Sequence, residues 1–596
     1  MSKYYFLSSS LIIIVLSFTN CLKLNKLSLH DQYEIEDLAL ELVRKNGPSL
    51  RRLLELSSVS GGISCSLCSF TVDVLKNYLL QKNGFEKLYD LVKNICHFTK
   101  IDNKVCDGAI DHYKEIVMDS FIKRFVNGDY ICSLINICED TTEYESIEDF
   151  ARRILKDKPP VKEREIVKRK NDEDYYKVVQ LSDIHLDMEY KEGTVANCNL
   201  PVCCRELNDD DLVPVKQIFA GLYGTIEGKC DANMETVKAF SSKAKEVNPD
   251  YIMFVGDNIA HIVWKVSLSE ILKATRMEID AIQNEFGLDT PIYPAIGNHE
   301  NSPCDQFHGE EKELLEGLAD IFRPYLDDDA YETFKKYGYY TLLAKNNLRI
   351  ISLNGLLCDS FNFHLLYDSS QPRQMFKWLE NVLSDAEKNN EIVHIIDHIP
   401  MPNSHHTIEC ASRLKILMDR YQNIIRGYFS GHSHDEYLVM VHEYYDPEKA
   451  TQINYVSSSL TTYTGKQPSF RMYLIDKKEL YVQDFVQYRM NLTDSNEKRT
   501  PIWFISYNAT DLFGVDSMND IEEVNKFKIT PEYIQHEYTD VPGSEEKGNN
   551  PNIIFSAQCE FDNDSIEGKF NCSGYNIFSE SYLYYTFNKL SVKWLK

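Results

Sequence analysis

The stretch that decides the fold is YIMFVGDNIAH, which occupies residues 251–261. Five apolar residues in a row, Tyr251 to Val255, have the length and composition of a buried strand, and the polar residues begin immediately afterwards. Two more stretches repeat this order: KVVQLSDIH at 177–185 and IYPAIGNHE at 292–300. A strand followed by a polar loop, repeated along a chain, predicts an α/β fold whose chemistry lies beyond the strand ends.

Further apolar runs and amphipathic segments continue this alternation. The runs at 348–353 and 391–396 have the composition of strands, whereas residues 234–247 and 375–389 carry apolar side chains at helical spacing. We therefore expect one large domain of alternating strands and helices over residues 175–490. The segment 491–596 lacks the pattern and is predicted to be a mostly helical C-terminal domain.

The polar residues beyond the strands are of the types that bind metal ions. Two aspartates, one asparagine and four histidines follow one another along the chain: Asp183, His185, Asp257, Asn298, His398, His432 and His434. Two neighbouring divalent ions need one shared anionic ligand and otherwise neutral ligands, because too many carboxylates would quench their Lewis acidity. This set has that balance, and it indicates a dinuclear site that cleaves phosphoesters.

Composition and charge restrict the classes of function. The chain has 596 residues, of which 43% are hydrophobic, which is enough for several domains and at least one large core. Its formal net charge is -27 at pH 7. Because no basic surface on that scale is available to neutralise phosphates, no nucleic-acid partner is expected. We expect the chain to be a monomer.

The N-terminus is typical of an export signal. Lys3 precedes an apolar run from Tyr4 to Phe18, which is short for a membrane span, so residues 1–20 are predicted to be a signal peptide. Four N-glycosylation sequons fit the same route: Asn491, Asn508, Asn563 and Asn571. We therefore expect a secreted or lysosomal protein.

The 16 cysteines suit an oxidising compartment, and six of them define a separate block that follows Cys21. They are Cys65, Cys68, Cys96, Cys106, Cys132 and Cys138. Six cysteines permit 15 connectivities, and spacing alone does not choose among them. We predict a helical extension over 21–60, a small all-helical domain over 61–142, and a charged, proline-containing linker over 143–174 that is a solvated spacer.

The polar motifs resemble those of the calcineurin-like metallophosphoesterase superfamily, at the strings Leu181-Ser182-Asp183-Ile184-His185, Gly256-Asp257-Asn258 and Gly297-Asn298-His299-Glu300. Within it, residues 175–490 are similar to the acid sphingomyelinase family, also at Pro201-Val202-Cys203-Cys204-Arg205. The cysteine block is similar to a saposin B-type domain, a helical unit that holds lipid or lies on membranes. The alternative is that its apolar helix faces only form a closed core.

The resemblance implies a four-layer α/β/β/α sandwich, with an all-α saposin-like N-terminal domain and a mostly helical C-terminal domain. It also implies two Zn2+ ions. One would be bound by Asp183, His185, Asp257 and His434, and the other by Asp257, Asn298, His398 and His432, so that Asp257 is the bridge. A water between the ions would have its pKa lowered to roughly 7 and would supply hydroxide as the nucleophile.

Two histidines are assigned to the substrate by the same resemblance. His299 would stabilise or protonate the scissile phosphate, and His261 would help to protonate the departing alkoxide. A histidine carries that proton only below its own pKa, so activity at mildly acidic pH is expected. The alternative is that His261 is an ordinary loop histidine. In the purple acid phosphatases a tyrosine that binds ferric iron takes the place of Ala260, which disfavours iron(III) here. Manganese and iron(II) stay open as alternatives to zinc, because the ligand types do not exclude them.

The resemblance also selects the disulfide pairs. They are Cys65–Cys138, Cys68–Cys132 and Cys96–Cys106 in the saposin block, and Cys198–Cys203, Cys204–Cys230, Cys358–Cys410 and Cys559–Cys572 in the rest of the chain. Two cysteines are left out of this scheme. Cys21 lies at the predicted cleavage site of the signal peptide, and we expect Cys304 to be a buried or partly shielded thiol.

The metal motifs do not choose the substrate, because diesters and monoesters are attacked alike. The saposin resemblance favours hydrolysis of sphingomyelin to ceramide and phosphocholine, with membrane contact through the saposin domain. Aromatic faces would suit the choline group, and the candidates are Tyr337, Tyr339, Tyr340 and Tyr463. Two alternatives stay open: a secreted metallophosphodiesterase that acts on nucleotides or other phospholipids, and a lipid-binding protein without catalysis.

Overall fold

The computed structural model describes most of the chain after residue 84. The described ranges are 84–97, 101–124, 145–166, 171–207, 214–309, 311–345, 347–401 and 405–565, together with residues 65, 69, 76, 568 and 572. The predicted signal peptide and the extension over 21–60 lie outside them. No helix within these ranges is both long enough and apolar enough to cross a membrane.

Two mixed sheets, each of six strands in the described chain, form its centre. The first contains β1 (Tyr175–Leu181), β2 (Tyr251–Phe254), β3 (Ile292–Pro294), β10 (Ser469–Asp476), β11 (Val482–Met490) and β12 (Trp503–Asn508). The second contains β4 (Tyr340–Leu343), β5 (Leu348–Ser352), β6 (Ile392–Ile396), β7 (Ile425–Ser430), β8 (Tyr437–His442) and β9 (Ala450–Val456). Their orders are β12-β11-β10-β1-β2-β3 and β4-β5-β6-β7-β9-β8.

The strands that lead into the polar motifs are parallel to one another. In the first sheet, β1 pairs with β2 and β2 with β3, so that Val179 lies opposite Ile252 and Ile252 opposite Ile292. In the second sheet, β5, β6 and β7 are parallel. Strands covered on both faces are apolar throughout, which explains their uninterrupted apolar runs. Because parallel strands end at the same edge, the polar loops of each sheet gather there.

The two sheets pack face to face. The ring of Phe429 in β7 lies 4.9 Å from the ring of Tyr473 in β10, centroid to centroid. Gln180 in β1 donates to the carbonyl of Ser430 at 2.8 Å and accepts from the Tyr473 hydroxyl at 2.7 Å. Buried side chains of both sheets and of the covering helices form one continuous hydrophobic cluster. The predicted α/β sandwich is therefore present.

Helices lie before, between and after these strands along the chain. They are α1 (Gly84–His97), α2 (Asn103–Arg124), α3 (Ile147–Leu155), α4 (Met234–Glu246), α5 (Leu268–Phe286), α6 (Lys312–Phe322), α7 (Asp328–Tyr337), α8 (Ser370–Lys388), α9 (Ile408–Arg420), α10 (Leu492–Lys498), α11 (Ala509–Phe513), α12 (Ile521–Asn525), α13 (Pro531–Glu537), α14 (Ser544–Gly548) and α15 (Pro551–Asp562). In α5, Ser267 and Glu270 form a reciprocal capping box, and Gly287 ends the helix at φ 70°. Helices α4 and α8 fill the two predicted amphipathic segments.

The predicted linker is packed and is not a solvated spacer where it is described. Helix α3 buries Phe150, Ala151 and Ile154 in the main core, and Lys158 forms an ion pair with Asp419 at 2.5 Å. The expectation of a spacer is wrong for residues 145–166. The charged residues around the short apolar stripe of α3 concealed it in the sequence.

The predicted boundary at residue 490 runs through a sheet. Strand β12 pairs with β11, with Trp503 opposite Met490, and thus completes the first sheet. The segments that follow are largely helical, as predicted, but Phe513 and Tyr533 belong to the same cluster as the sheets. Residues 491–565 are therefore a C-terminal extension of the sandwich, with no core of their own.

The described disulfides follow the predicted pairing. They are Cys96–Cys106, which joins α1 to α2, and Cys198–Cys203, Cys204–Cys230, Cys358–Cys410 and Cys559–Cys572. Cys65 is also in a disulfide. The predicted pairs of the saposin block otherwise involve Cys68, Cys132 and Cys138, which lie outside the described residues. The saposin-like fold of that block therefore stays a prediction.

Candidate dinuclear metal centre

The seven predicted ligands lie together beyond the ends of the parallel strands. Asp183 and His185 follow β1, Asp257 follows β2, Asn298 follows β3, His398 follows β6, and His432 and His434 follow β7. A carboxylate oxygen of Asp257 lies within 4.8 Å of a ring nitrogen of His185, and a carboxylate oxygen also lies within 4.8 Å of ring nitrogens of His398 and His432. The two sheets therefore each supply part of one centre, which we call the metal centre.

The backbone is left-handed at five of these positions. The φ angle is 51° at Asp183, 49° at His185, 60° at Asp257, 72° at His432 and 62° at His434. A side chain other than glycine pays about 1–3 kcal/mol for such a conformation, which persists only where the surrounding structure imposes it. Its concentration at the predicted ligands is typical of a functional site.

Asp257 occupies the middle of the metal centre. Its Oδ2 atom lies 3.3 Å from Nε2 of His185 and 3.2 Å from Nε2 of His398. Its Oδ1 atom accepts the backbone N–H of His299 at 2.9 Å. One carboxylate oxygen thus faces ligand nitrogens on both sides, which is the arrangement that a shared ligand of two ions requires.

Hydrogen bonds decide which nitrogen of each histidine faces Asp257. Nδ1 of His185 lies 2.9 Å from the carbonyl of Ile259, and Nδ1 of His398 lies 2.7 Å from the carbonyl of Val255. A carbonyl only accepts, so the neutral rings carry their proton on Nδ1 and present the Nε2 lone pair to the carboxylate. Facing lone pairs repel one another, and a cation between them removes that repulsion. The donor set therefore fits metal ions.

The electrostatics of the centre favour positive charge. Burial alone would lower the pKa of both histidines, but the Asp257 carboxylate outweighs it and raises the pKa of His185 to about 9 and that of His398 to about 10. A field that holds protons so strongly at neutral pH also attracts divalent cations, which take the place of these protons.

The first ligand group is completed by His434 and Asp183. Nε2 of His434 lies 3.2 Å from Nε2 of His185 and 3.7 Å from Oδ1 of Asp183. The Asp183 carboxylate also accepts the backbone N–H of His432 at 3.0 Å, so it ties the β1 loop to the β7 loop. These residues, together with Asp257, form the group assigned to one ion.

The second group centres on the amide of Asn298. Its Oδ1 atom lies 3.0 Å from Nε2 of His398 and 2.9 Å from Nδ1 of His432. Its Nδ2 atom donates to Oδ1 of Asp305 at 2.8 Å, which fixes the orientation of the amide and directs its oxygen to the centre. The role of Asp305 was not predicted, and its position a few residues after Asn298 was the available signal.

Glu300 holds two ligand loops together. Its carboxylate accepts the backbone N–H groups of Asp257 at 2.8 Å, Asn258 at 2.6 Å and Gly297 at 2.7 Å. Three such bonds from two loops fix the distance between the β2 and β3 ends. The glutamate of the GNHE string therefore joins the two loops, a role that was not predicted.

His261 lies between two aromatic rings. It stacks on Tyr463 with a centroid distance of 4.1 Å and on His185 with one of 3.8 Å. Oδ1 of Asp231 lies 2.8 Å from its Nδ1, and Oδ2 accepts its backbone N–H at 2.8 Å. Because both contacts use the same carboxylate, the orientation of the ring is fixed.

Asp231 is another residue of the site that was not predicted from the sequence. It is fully buried and also accepts a hydrogen bond from Thr461 Oγ1 at 3.1 Å. It directly follows Cys230, whose disulfide with Cys204 fixes this part of the chain. A position beside a disulfide cysteine does not by itself indicate a contact with His261.

His299 is buried next to both of these histidines. Its ring lies 4.8 Å from that of His185 and 4.9 Å from that of His261, with edge-to-face geometry. Burial lowers the pKa of His299 to about 4, so the ring is neutral in mildly acidic solution and can donate one N–H. His261 and His299 each have a ring nitrogen within 4.8 Å of one of His185. Because Asp257 is shared, the seven predicted ligands already provide four for each ion without them.

Of the four tyrosines considered for binding a choline group, Tyr463 lies beside the metal centre, where it stacks on His261. Tyr337 and Tyr339 instead stack on each other at 5.1 Å, and Tyr339 packs on Trp378. Tyr340 is fully buried in β4. The aromatic residues in that part of the chain therefore serve packing.

Two further predictions concern Cys304 and the glycosylation sequons. Cys304 is buried, is not in a disulfide, and places its Sγ atom 3.2 Å from Oδ1 of Asp305. The described sequon asparagines are partly exposed: Asn491, Asn508 and Asn563. Asn571 lies outside the described residues, and glycosylation at all four stays a prediction.

Two family models match this chain. The calcineurin-like phosphoesterase model matches residues 176–436, a range that contains every predicted metal ligand. The model of the acid sphingomyelin phosphodiesterase C-terminal region matches residues 449–535. The fold and the site together are those of a calcineurin-like metallophosphoesterase, a class of phosphoester hydrolase.

Individual relatives indicate which family within this class the chain resembles. Sphingomyelin phosphodiesterase A of Dictyostelium discoideum is 29% identical over 484 residues, which cover 77% of this chain and 81% of the relative. Sphingomyelin phosphodiesterase of Bos taurus is 35% identical over 356 residues, which cover 57% of this chain and 55% of the relative. A cyclic GMP-AMP phosphodiesterase of Bos taurus is 28% identical over 375 residues, 59% of this chain and 78% of the relative. The chain belongs to the acid sphingomyelinase-like family.

Proposed function

We propose that the protein hydrolyses sphingomyelin to ceramide and phosphocholine, using two zinc ions at a membrane surface and at acidic pH. The main observation that supports the proposal is that residues 449–535 contribute side chains to the site. Tyr463 of this segment stacks on His261, and Thr461 binds Asp231. The segment that matches the acid sphingomyelin phosphodiesterase C-terminal region thus contacts the residue assigned to the leaving group.

The donor set supports zinc. It combines imidazole nitrogens with carboxylate and amide oxygens, which suit zinc well. Ferric iron would call for a phenolate, and burial raises the pKa of Tyr463 well above its usual value. The Tyr463 hydroxyl also donates to the carbonyl of Pro201 at 3.2 Å. This tyrosine therefore stays protonated and is engaged elsewhere.

When bound, two zinc ions supply Lewis acidity and lower the pKa of a water enough for it to attack phosphorus. The side chains of the protein then manage the protons. His299, neutral in its buried position, donates its N–H to a phosphoryl oxygen and stabilises the charge that develops there. As the bond between phosphorus and the ceramide oxygen breaks, His261 delivers the proton on Nε2 to that oxygen.

The contact with Asp231 supports the proposed preference for acidic pH. His261 can give a proton from Nε2 only when both ring nitrogens are protonated, because Nδ1 already donates to Asp231. The carboxylate stabilises this charged imidazolium. Activity should therefore rise as the pH falls toward the range in which His261 is protonated.

The N-terminal helices support access to a lipid. In α2, the Tyr113 hydroxyl donates to the carbonyl of Cys304 at 2.8 Å, and Nε2 of His112 lies 2.9 Å from Oγ of Ser302. These contacts place a helical unit on the loop that follows Asn298. We propose that this unit presents the lipid to the metal centre, with peripheral membrane contact, in a monomeric protein that is secreted or lysosomal.

The test offers the purified protein two substrates, sphingomyelin vesicles and a soluble nucleotide diester, at acidic and at neutral pH. We expect phosphocholine to be released from the vesicles, faster at acidic pH, to stop with a zinc chelator and to return when zinc is restored. His261→Ala should lose most of this release. His97→Ala, which removes an exposed ring that pairs with Asp107 in the N-terminal helices, is the matched control and should not.

A second candidate function is cleavage of a nucleotide diester. The observation that favours it is the likeness to the cyclic GMP-AMP phosphodiesterase. Turnover of the nucleotide without turnover of sphingomyelin would replace the first proposal by the second. No turnover of either substrate, with intact zinc binding, would favour a lipid-binding protein.

A further inference from the structure

A buried charge network joins the metal centre to the C-terminal extension. It begins in the loop Gly431–Glu436 between β7 and β8, which we call the ligand loop because it carries His432 and His434. Glu436, the last residue of this loop, is 2% exposed. A carboxylate so far from water must be matched by charged partners, because an unpaired buried ion is strongly unfavourable.

The charged partners of Glu436 are two arginines. Nη2 of Arg489 in β11 lies 2.7 Å from Oε1, and Nη2 of Arg471 in β10 lies 3.6 Å from Oε2. Ser458 Oγ donates to Oε2 at 3.3 Å. Both arginine side chains are fully buried. Two cations thus face one carboxylate, and a second anion is needed to balance them.

Asp540 of the C-terminal extension supplies that anion. Its Oδ2 atom lies 2.9 Å from Nε of Arg489, and its Oδ1 atom lies 2.9 Å from Nδ1 of His536. The backbone carbonyl of His536, in α13, accepts from Arg489 Nη2 at 2.8 Å. Burial would raise the pKa of Asp540, but His536 and Arg489 hold it below its usual value. The extension therefore holds Arg489 on the side opposite Glu436.

We propose that Asp540 is a positioning residue for the metal centre, which acts through Arg489 and Glu436 to hold the ligand loop in its binding conformation. The left-handed backbone of His432 and His434 needs such support from its surroundings. The partners of Asp540 are Arg489, His536 and Ser506, none of them a metal ligand. The effect therefore passes through the network. The inference rests on the metal dependence of the proposed function.

Asp564 provides a matched control. It is a buried carboxylate of the C-terminal extension, whereas Asp540 is half-buried, with 22% of its side chain exposed. Asp564 lies 2.9 Å from Nζ of Lys415, and it accepts the backbone N–H of His442 at 2.6 Å. His442 is the last residue of β8, and Glu436 directly precedes the first. Asp564 thus contacts the last residue of β8 directly, whereas Asp540 is connected through Arg489 to Glu436, which precedes β8. Only Asp540 belongs to the network of the ligand loop.

The test compares Asp540→Asn with Asp564→Asn in the full-length, zinc-loaded protein. The first measurement is the rate at which zinc passes, without substrate, to a chelator that changes colour when it binds zinc. The second is the melting temperature of the metal-depleted protein, and the third is kcat and KM on a soluble diester. We expect Asp540→Asn to release zinc about tenfold faster, the lower end of the usual effect of groups that orient metal ligands. Its kcat should fall while KM changes little. Asp564→Asn should melt earlier but keep wild-type zinc release and kcat.

Zinc release at the wild-type rate from Asp540→Asn would overturn the inference, as would equal acceleration in both variants. Ser506→Ala, which removes one hydrogen bond to Asp540, is the milder second variant and should shift zinc release in the same direction by a smaller factor. Zinc release is measured without lipid. A protein that binds zinc but does not cleave sphingomyelin would therefore refute the proposed substrate without affecting this comparison.

Discussion

Replacement of Asp231 by asparagine should lower kcat about 10- to 100-fold while both zinc ions stay bound. Asp231 receives two donors from His261, Nδ1 and the backbone N–H, each at 2.8 Å on a different oxygen. Asparagine has only one oxygen, so one donor would face an NH2 group. A hydrogen bond to a charged group contributes about 1.5–3 kcal/mol, and about 1.4 kcal/mol in the barrier changes a rate tenfold, which gives this range.

The assay is the pH dependence of kcat on a soluble diester, with zinc content measured on the same samples. Loss of the carboxylate destabilises the imidazolium, so the decline of activity with rising pH should begin at a lower pH than in the wild type. Asp419→Asn is the control, because Asp419 is a buried carboxylate that pairs with Lys158 at 2.5 Å. Its pH profile should keep the wild-type shape. Wild-type kcat and an unshifted profile in Asp231→Asn would refute the role assigned to this pair.

Three further changes test other parts of the structure. In Gly431→Ala the added Cβ would lie 2.6 Å from Oδ2 of Asp183, so the ligand must move, and we expect loss of zinc from one site and a fall in kcat of about 100-fold; two bound zinc ions with full activity would contradict this. Glu278 is fully buried, and burial raises its pKa well above the usual value. The folded protein therefore keeps a proton that the unfolded chain releases, and stability is lost as pH rises, by up to about 1.4 kcal/mol per pH unit. Glu278→Gln should match the wild-type melting temperature at acidic pH and exceed it at neutral pH, and a pH-independent difference would exclude this explanation. The Cys358–Cys410 disulfide spans 52 residues, so replacing both cysteines by alanine should reduce the free energy of unfolding by about 4 kcal/mol. An unchanged denaturation midpoint would show that the disulfide does not stabilise the fold.

Local strings explain why the residues that meet at the metal centre could be predicted. Each lies in the loop after an apolar strand, as Asp257 does after the run from Tyr251 to Val255, and parallel strands bring such loops to one edge. Asp231 lies 30 residues before His261 and has no motif of its own. Only the folded chain brings the two together, so sequence patterns could not reveal the pair.

The errors in domain organisation have a similar physical cause. The apolar stripe of α3 is three buried residues, Phe150, Ala151 and Ile154, and charged neighbours hide so short a pattern. Strand β12 is only partly buried at the edge of the first sheet, so it lacks the apolar run of the central strands. The pairing of Asp540 with Arg489 depends on contacts that form only after the C-terminal extension packs on the sheets.

The central claim is that two zinc ions held by these loops enable the protein to cleave sphingomyelin. It is tested most directly by removing the metal, adding zinc back stepwise, and measuring bound zinc together with phosphocholine released from sphingomyelin vesicles at acidic pH. We expect no release from the metal-depleted protein and full release when two zinc ions are bound per chain. Release that persists in the metal-depleted protein, or none after two zinc ions are bound, would contradict the account.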